Sequence, residues 1–555
     1  MGTTTFEAPG PGTWELDAAH YPASVSRIAR DIMESAVHVG LGEGFDLLGA
    51  PLSTMDVAFV NGRMYRRLVP LIGGARSGTP PNFVLWLATR LHPAFRKRAR
   101  TAERSLRERV WLEELHRWET EWKPTLIADN LRLGAIDESS LADDQLADHV
   151  EALVRHLGSS TTLHFRLHTS DLGPIGVMLV RAREWGLDDA ALMGVLAGAS
   201  PSTSAPAVQL SALRAELAAA GVDLAGDPPT SVDEIRRASP EASRLLDEYL
   251  DMYGSRLTTG YDISDLTLAE LPDVIVASVR DARNDGSVGV DSAAEGRGAA
   301  AFDDIRATLP AEHVEEFDTV VGDARLLYGL RDENGPLTYQ WPAGLVRRAV
   351  REAARRLTAR RAIEREDHVF DLSGDEIAAL LRGGAGPTRD AIAARFAERH
   401  AWGALQPPAF LGDPPSDPPI DVLPGAMATM MRVTLAVTGL LEAVEHEDRL
   451  SGTGIGSEQY SGTARVVVDA DDAFEHVEPG DVIVARLTVP TFNSVLAIAG
   501  AVVTENGGLL CHTAVIAREL GIPAVVGVAD ALVAIPDGST VTVDPVGGTV
   551  TVLRS

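Results

Sequence analysis

The sequence predicts a multidomain protein that joins a large, mostly helical part to a smaller C-terminal α/β part. Three observations carry this expectation. Ala/Leu/Arg/Glu-rich segments with helical periodicity fill the first four hundred residues, as at 102–122, 143–157 and 208–220. Residues 406–424 are crowded with Pro, Asp and Gly, the composition of a boundary. Beyond residue 448, short β-branched runs alternate with Gly/Asp/Pro turns. In order, residues 1–405 are expected to form a helical domain, with breaks near 73–81, 199–206 and 284–298, the last a mobile loop. Residues 406–447 are expected to be a linker and an apolar connecting helix (426–447), which suits a domain that must travel. Residues 448–555 form the α/β domain.

Composition narrows the function classes. The 555-residue chain is 45% hydrophobic with mean hydropathy near zero, as expected of a soluble globular protein with ample core. Its formal charge of −29 should repel nucleic acid and anionic membrane. The Arg-rich stretches 95–109 and 346–361 do not reverse that reading. In the second, Val346, Val350, Ala353 and Leu357 recur at helical spacing and leave the arginines on a solvated or ion-paired face. Cys511 is the only cysteine, which precludes an intrachain disulfide. The first residues carry neither basic groups nor an apolar core, Phe6 breaks the myristoylation pattern, and no apolar run reaches the ~20 residues of a membrane span. A cytoplasmic location without nucleic-acid or membrane partners is expected.

The most informative run is Gly507-Gly508-Leu509-Leu510-Cys511-His512-Thr513-Ala514-Val515-Ile516-Ala517-Arg518-Glu519-Leu520-Gly521-Ile522-Pro523. A Gly-Gly turn sets His512 just before an apolar helical stretch, and Gly521 and Pro523 stop it. Helix N-termini offer unsatisfied N–H groups to a phosphoryl group, and imidazole is a nucleophile near neutral pH. A small packed side chain is the expected role of Cys511. Around this run, residues 448–555 resemble the swivelling phosphohistidine domain of the PEP-utilising enzymes. The matching segments include Gly462-Thr463-Ala464-Arg465-Val466-Val467, Pro479-Gly480-Asp481-Val482-Ile483-Val484, Thr488-Val489-Pro490, Ala501-Val502-Val503-Thr504-Glu505 and Pro523-Ala524-Val525-Val526-Gly527. The resemblance implies a catalytic phosphohistidine at His512, with Thr488, Glu505, Gly507, Gly508 and Arg518 supporting the phosphoryl site. Leu510 stands where the family's dikinases often carry Thr, which excludes control by phosphorylation at that position.

The resemblance also implies partners. No GxxxxGK[ST] loop occurs, and Lys97 and Lys123 are the only lysines, so ATP and Mg²⁺ are expected to be bound by a separate ATP-grasp protein. Only 43 residues follow His512, too few for the pyruvate-binding barrel of phosphoenolpyruvate synthase. The layout is closest to rifampin phosphotransferase and phenylphosphate synthase-like proteins without the ATP-grasp domain, which implies a small acceptor with a phenol or alcohol hydroxyl. A subunit of a split phosphoenolpyruvate synthase-like system, acting on a keto or carboxylic acid, is the alternative enzyme; a non-catalytic phosphohistidine carrier is the alternative of another class. Trp14-Glu15-Leu16-Asp17-Ala18-Ala19-His20-Tyr21-Pro22 resembles the start of the antibiotic enzymes' acceptor domain, and Tyr253-Gly254-Ser255-Arg256 their Y-G-H-R, with Ser255 in place of histidine. Leu330-Arg331-Asp332 resembles their R-E element, although Gly335 replaces a lysine. His20, Arg256, Arg331 and Asp332 are therefore the expected substrate-binding residues, Arg331 pinning phosphate oxygens and Asp332 accepting a hydroxyl proton. His164 and His168, four apart on a predicted helix with His156 upstream, lack an HExxH glutamate or nearby cysteines. Core or pocket lining is expected there, and no metal site.

Overall fold

The computed structural model describes residues 5–17, 20–21, 23–73, 81–224, 226, 228–281, 288–415, 419–438, 450–468, 470–488 and 492–554. The chain forms two compact units, each assembled from separated stretches: Met1–Gly173, Ser255–Leu266 and Glu333–Thr434 in the first, Pro174–Gly254, Thr267–Asp332 and Leu435–Ser555 in the second. A large helical part and a C-terminal α/β part are present, as the periodicities require. No helix among the described residues is long and apolar enough to cross a membrane.

The first unit holds a sheet that helical periodicity hides. Strands β1 (Thr13–Leu16), β2 (Leu52–Val60), β3 (Arg63–Pro70) and β4 (Phe410–Gly412) pair antiparallel in the order β2-β3-β1-β4. Asn61 and Gly62, both at positive φ (48° and 72°), join β2 to β3 in the backbone of a type I′ hairpin, which only Asn and Gly adopt cheaply. Trp14, Tyr65 and Leu411 form the small core of this sheet. Strand β4 corrects the linker expectation: Leu411 is apolar amid prolines, buries its side chain and registers against Trp14, so this piece of residues 406–424 is knitted into the first unit. The expected connecting helix is present as Gly425–Thr438, and residues 439–447 lie outside the described set.

Helices complete the first unit. Arg27–Leu48 packs its apolar stripe on β2 and ends on Gly49 in the left-handed conformation. The stretch expected as one helix at 102–122 is broken at Arg109 (φ 54°), separating Pro93–Glu108 from Trp111–Arg117. Wider π-helical turns at Trp118–Trp122 and Pro336–Gln340 lead into Lys123–Gly134 and Trp341–Ala359, with Trp118 and Trp341 fully buried.

The second unit combines helices with a seven-stranded sheet. Leu210, Leu213, Leu217, Ile235, Leu246 and Ile275 make the core of its helical layer. The 199–206 break shrinks to a boundary, because Pro201 sits in the first turn of Pro201–Ala219, where its missing N–H costs nothing. The expected loop at 284–298 is helical from 288 onward in Val288–Thr308, while 284–287 lie outside the described residues. Strands β5 (Thr453–Ile455), β6 (Tyr460–Val467), β7 (Val482–Ala485), β8 (Ala501–Thr504), β9 (Ala524–Val526), β10 (Thr540–Asp544) and β11 (Thr549–Arg554) run in the order β11-β10-β6-β7-β8-β9-β5. The four central strands β6 to β9 are parallel, and the outer three antiparallel. β7, β8 and β9 are buried on both faces, hence their unbroken Val/Ala/Ile runs.

Candidate functional site

The loops that leave β7 and β8 at their carboxyl ends build the site, the usual place for ligand chemistry in parallel sheets. After β8, Gly507 takes φ 136°, and a Cβ there would lie 2.7 Å from Cys511 Sγ. Glycine is therefore required for the chain to turn into the helix His512–Leu520, whose N-cap is Cys511 and whose left-handed C-cap is Gly521. After β7, Thr488 Oγ1 lies 2.8 Å from His512 Nδ1 and 2.8 Å from Thr513 Oγ1.

This geometry selects a tautomer. Part of His512 reaches solvent, but its Nε2 is covered and has no hydrogen-bond partner among the described residues. Burial, and after it the charge of Arg331, push the imidazole down to about 4, so the ring is neutral near pH 7. A neutral ring with Nδ1–H donating to Thr488 lets the Thr488 hydroxyl donate to Thr513 and leaves a lone pair on Nε2. The opposite tautomer would strand a buried Nε2–H, at a cost of about 1–3 kcal/mol.

Cationic and acidic groups surround the loop. Arg331, in the helix Ala311–Gly335, donates from Nη2 to the Leu510 carbonyl at 2.6 Å, and Asp332 lies 4.0 Å from its Nη1. Arg518 is buried, donates to the Leu509 carbonyl, and keeps Nη1 without a hydrogen-bond partner among the described residues. Glu519 accepts the Gly198 N–H at 3.2 and 3.1 Å; burial, with Asp332 adding to it, raises its carboxyl to about 7. Arg297 donates to the carbonyls of Arg518 and Glu519. Tyr328, one helical turn before Arg331, is buried, which lifts its phenol well above the ordinary value.

Residues 477–548 match the family described as PEP-utilising enzyme, mobile domain. The C-terminal domain belongs to that family. The chain is similar to phosphoenolpyruvate synthase of Escherichia coli (strain K12), 44% identical over 114 residues that make 20% of this chain and 13% of the relative. It is similar as well to the uncharacterized phosphotransferase YvkC of Bacillus subtilis (strain 168), 33% identical over 156 residues, 28% of this chain and 17% of that protein. Chondramide synthase cmdD of Chondromyces crocatus matches over 97% of this chain at 25% identity, within 14% of its own length. The chain thus spans less than a fifth of each of these relatives, among which phosphoryl-transfer enzymes recur.

Of the residues expected to support the mobile domain's site, Thr488 bonds the histidine directly, and Gly507, Gly508 and Arg518 shape the loop, Gly508 accepting the Cys511 N–H. Glu505 is occupied differently: it accepts the Leu532 N–H and lies 3.7 Å from Arg486. Arg331 and Asp332 share the second unit with His512. His20 and Arg256 belong to the first, where both oxygens of the buried Asp17 hold His20 Nδ1 at 3.0 Å and Arg256 lies over the Trp341 ring. His156 Nε2 pairs with Asn130 at 2.7 Å, while His164 and His168 meet ring to ring. Sequence reasoning missed Thr513 and Tyr328. The second was findable from its i, i+3 spacing to Arg331.

Proposed function

We propose that the chain is a phosphotransferase component in which His512 Nε2 takes a phosphoryl group from ATP bound, with Mg²⁺, on a separate ATP-grasp protein and passes it to a hydroxyl of a small organic acceptor. In the first step the P–O bond that joins the transferred phosphoryl group to the rest of ATP breaks, its electron pair leaves with the remaining nucleotide, and a P–N bond forms at Nε2. In the second the acceptor oxygen attacks phosphorus, the P–N bond breaks, and the hydroxyl proton passes to a base. The observation that carries this reading is the covered lone pair of Nε2, with Nδ1 tied to Thr488, at the start of a helix flanked by Arg331 and Arg518. A cation and helix N–H groups suit the charge of a transferring phosphoryl group.

Two further observations support it. The two lysines bond acidic partners or lie in a basic helix: Lys123 pairs with Glu333 at 2.8 Å, and Lys97 belongs to Pro93–Glu108. The chondramide synthase match spans both the helical and the mobile-domain parts, which favours their acting as one segment beside other protein. The test is intact-mass measurement after incubation with Mg-ATP and an ATP-grasp partner. One acid-labile phosphoryl group on the wild type and none on His512→Ala is expected; an unmodified wild type, or an equal adduct on the variant, refutes the proposal.

A further inference from the structure

A cavity of about 240 Å³ lies within the first unit, at the first turn of the helix Arg27–Leu48, beside the turn Glu366–Asp371 and the helix Arg389–Gly403. Arg27, Arg30, Asp371, Arg395, Glu398 and Trp402 line it. The arginines gathered here are paired, with one exception. Arg27 Nε donates to Asp31 at 2.9 Å. Arg395 holds Glu376 with both terminal nitrogens at 2.9–3.0 Å, and Arg399 holds the two oxygens of the buried Asp371 at 2.8 and 3.1 Å. These pairings occupy the acids that could have answered a fourth guanidinium.

That fourth guanidinium is Arg30, whose side chain makes no hydrogen bond and no ion pair among the described residues. Its Nε is covered by protein, so the atoms a ligand can meet are the terminal pair, Nη1 and Nη2. Glu34, one helical turn on, lines a separate hollow with His38 and Asp56, and Glu398 stands exposed at the rim without pairing with Arg30. Burial, and after it the like charge of Arg27, pull the proton affinity of Arg30 below that of an ordinary arginine. The Trp402 ring lies 5.8 Å from Arg30 Cζ, a contact with the flat side of the guanidinium that leaves its in-plane N–H groups unspent. Trp402 is itself fixed: a Cβ on Gly62 in the β2–β3 turn would lie 2.9 Å from its ring, and Arg63 Nη2 donates to the Gly403 carbonyl at 3.3 Å. A cation and an aromatic wall are thus held in place at the cavity, as preorganised recognition requires. An arginine serving only the fold would have been paired, because a partly buried charge without a partner is destabilising.

We propose that this cavity binds a small organic carboxylate, with Arg30 Nη1 and Nη2 donating to its two oxygens and the Trp402 ring walling its apolar part. Two parallel N–H bonds match a planar carboxylate. Phosphate suits the cavity less, because Arg30 is the unspent cation while Asp371 and Glu398 both line the cavity and repel a second negative charge. Nothing at this site depends on phosphorylation of His512.

The test titrates benzoate into the full chain, without ATP or partner protein, by ligand-observed NMR. Benzamide, which has the same outline and no charge, and inorganic phosphate are titrated beside it. Saturable binding of benzoate and none of benzamide is expected. Arg30→Gln breaks no ion pair, so it should keep the wild-type urea midpoint and weaken benzoate at least about tenfold, as loss of a charge-assisted hydrogen bond does. Should that variant unfold, Arg30→Lys, which keeps the charge and loses the fork, gives the readout, with benzoate at least about fivefold weaker. No benzoate binding, equal binding of benzamide, phosphate bound more tightly than benzoate, or a benzoate affinity unchanged by the substitution each overturns the proposal.

Discussion

His512 differs from an ordinary surface histidine in two measurable ways, the hydrogen bond to Thr488 and the low proton affinity of its ring. Thr488→Val removes the acceptor for Nδ1–H and strands that proton, a loss of about 1–3 kcal/mol that corresponds to a roughly 5- to 150-fold slower phosphorylation of His512 in quenched-flow measurements. An unchanged rate would remove Thr488 from the mechanism. The low affinity has a sign that can be followed. An unfolded imidazole takes up a proton near 6.5 and the folded one only near 4, so the His512 contribution to stability declines as pH falls from about 6.5 to about 4. For the same reason the rate of His512 phosphorylation should stay flat from pH 8 to pH 5, where a histidine of ordinary affinity would have lost most of its nucleophile. A profile that breaks near 6.5 would show that the ring is neither desolvated nor near Arg331 in solution. His512, its helix stop at Gly521 and the Gly-Gly turn were legible in the sequence because their conformational demands are local. Glu519 was not, since its character comes from burial by groups distant in the chain.

The loop and helix around His512 store their own constraints. Gly507→Ala forces a side chain into a backbone conformation at φ 136° and against Cys511 Sγ, which should cost about 1–3 kcal/mol in urea unfolding. Wild-type stability in that variant would mean that the turn relaxes freely. At the other end of the helix, Glu519 holds its proton up to about 7 while an unfolded glutamate releases it near 4.5. Stability from this group is therefore present at low pH and falls as pH rises through 4.5 to 7. Glu519→Gln should accordingly gain on the wild type by up to about 3 kcal/mol at pH 8 relative to pH 5, read from urea midpoints at both. Equal differences at the two pH values would mean that Glu519 is ionised without penalty. At this scale the helices and the alternation of the C-terminal strands followed from periodicity. The β2–β3 hairpin could have been found from Asn61-Gly62 between two β-rich runs. Strand β4 could not, because three residues among prolines become a strand only when β1 lies beside them.

For the whole molecule, the division of labour between chains is the first quantity to measure. The chain has two lysines and no Gly-rich phosphate loop, so calorimetry with Mg-ATP should detect no binding in the micromolar range, about −8 kcal/mol, by the isolated protein. Micromolar binding would place the nucleotide site here and remove the need for a partner. The mobile domain also constrains how the protein is made. Strand β6 is hydrogen-bonded on one side to β7, which follows it closely, and on the other to β10 at Thr540–Asp544; β5 waits likewise for β9. On a translating ribosome, the sheet that positions the reactive imidazole cannot close until those late strands have emerged. A ribosome stalled between 526 and 540 should thus carry a chain whose helical layers can form but whose histidine has no finished seat, and that nascent chain is expected to accept no phosphoryl group.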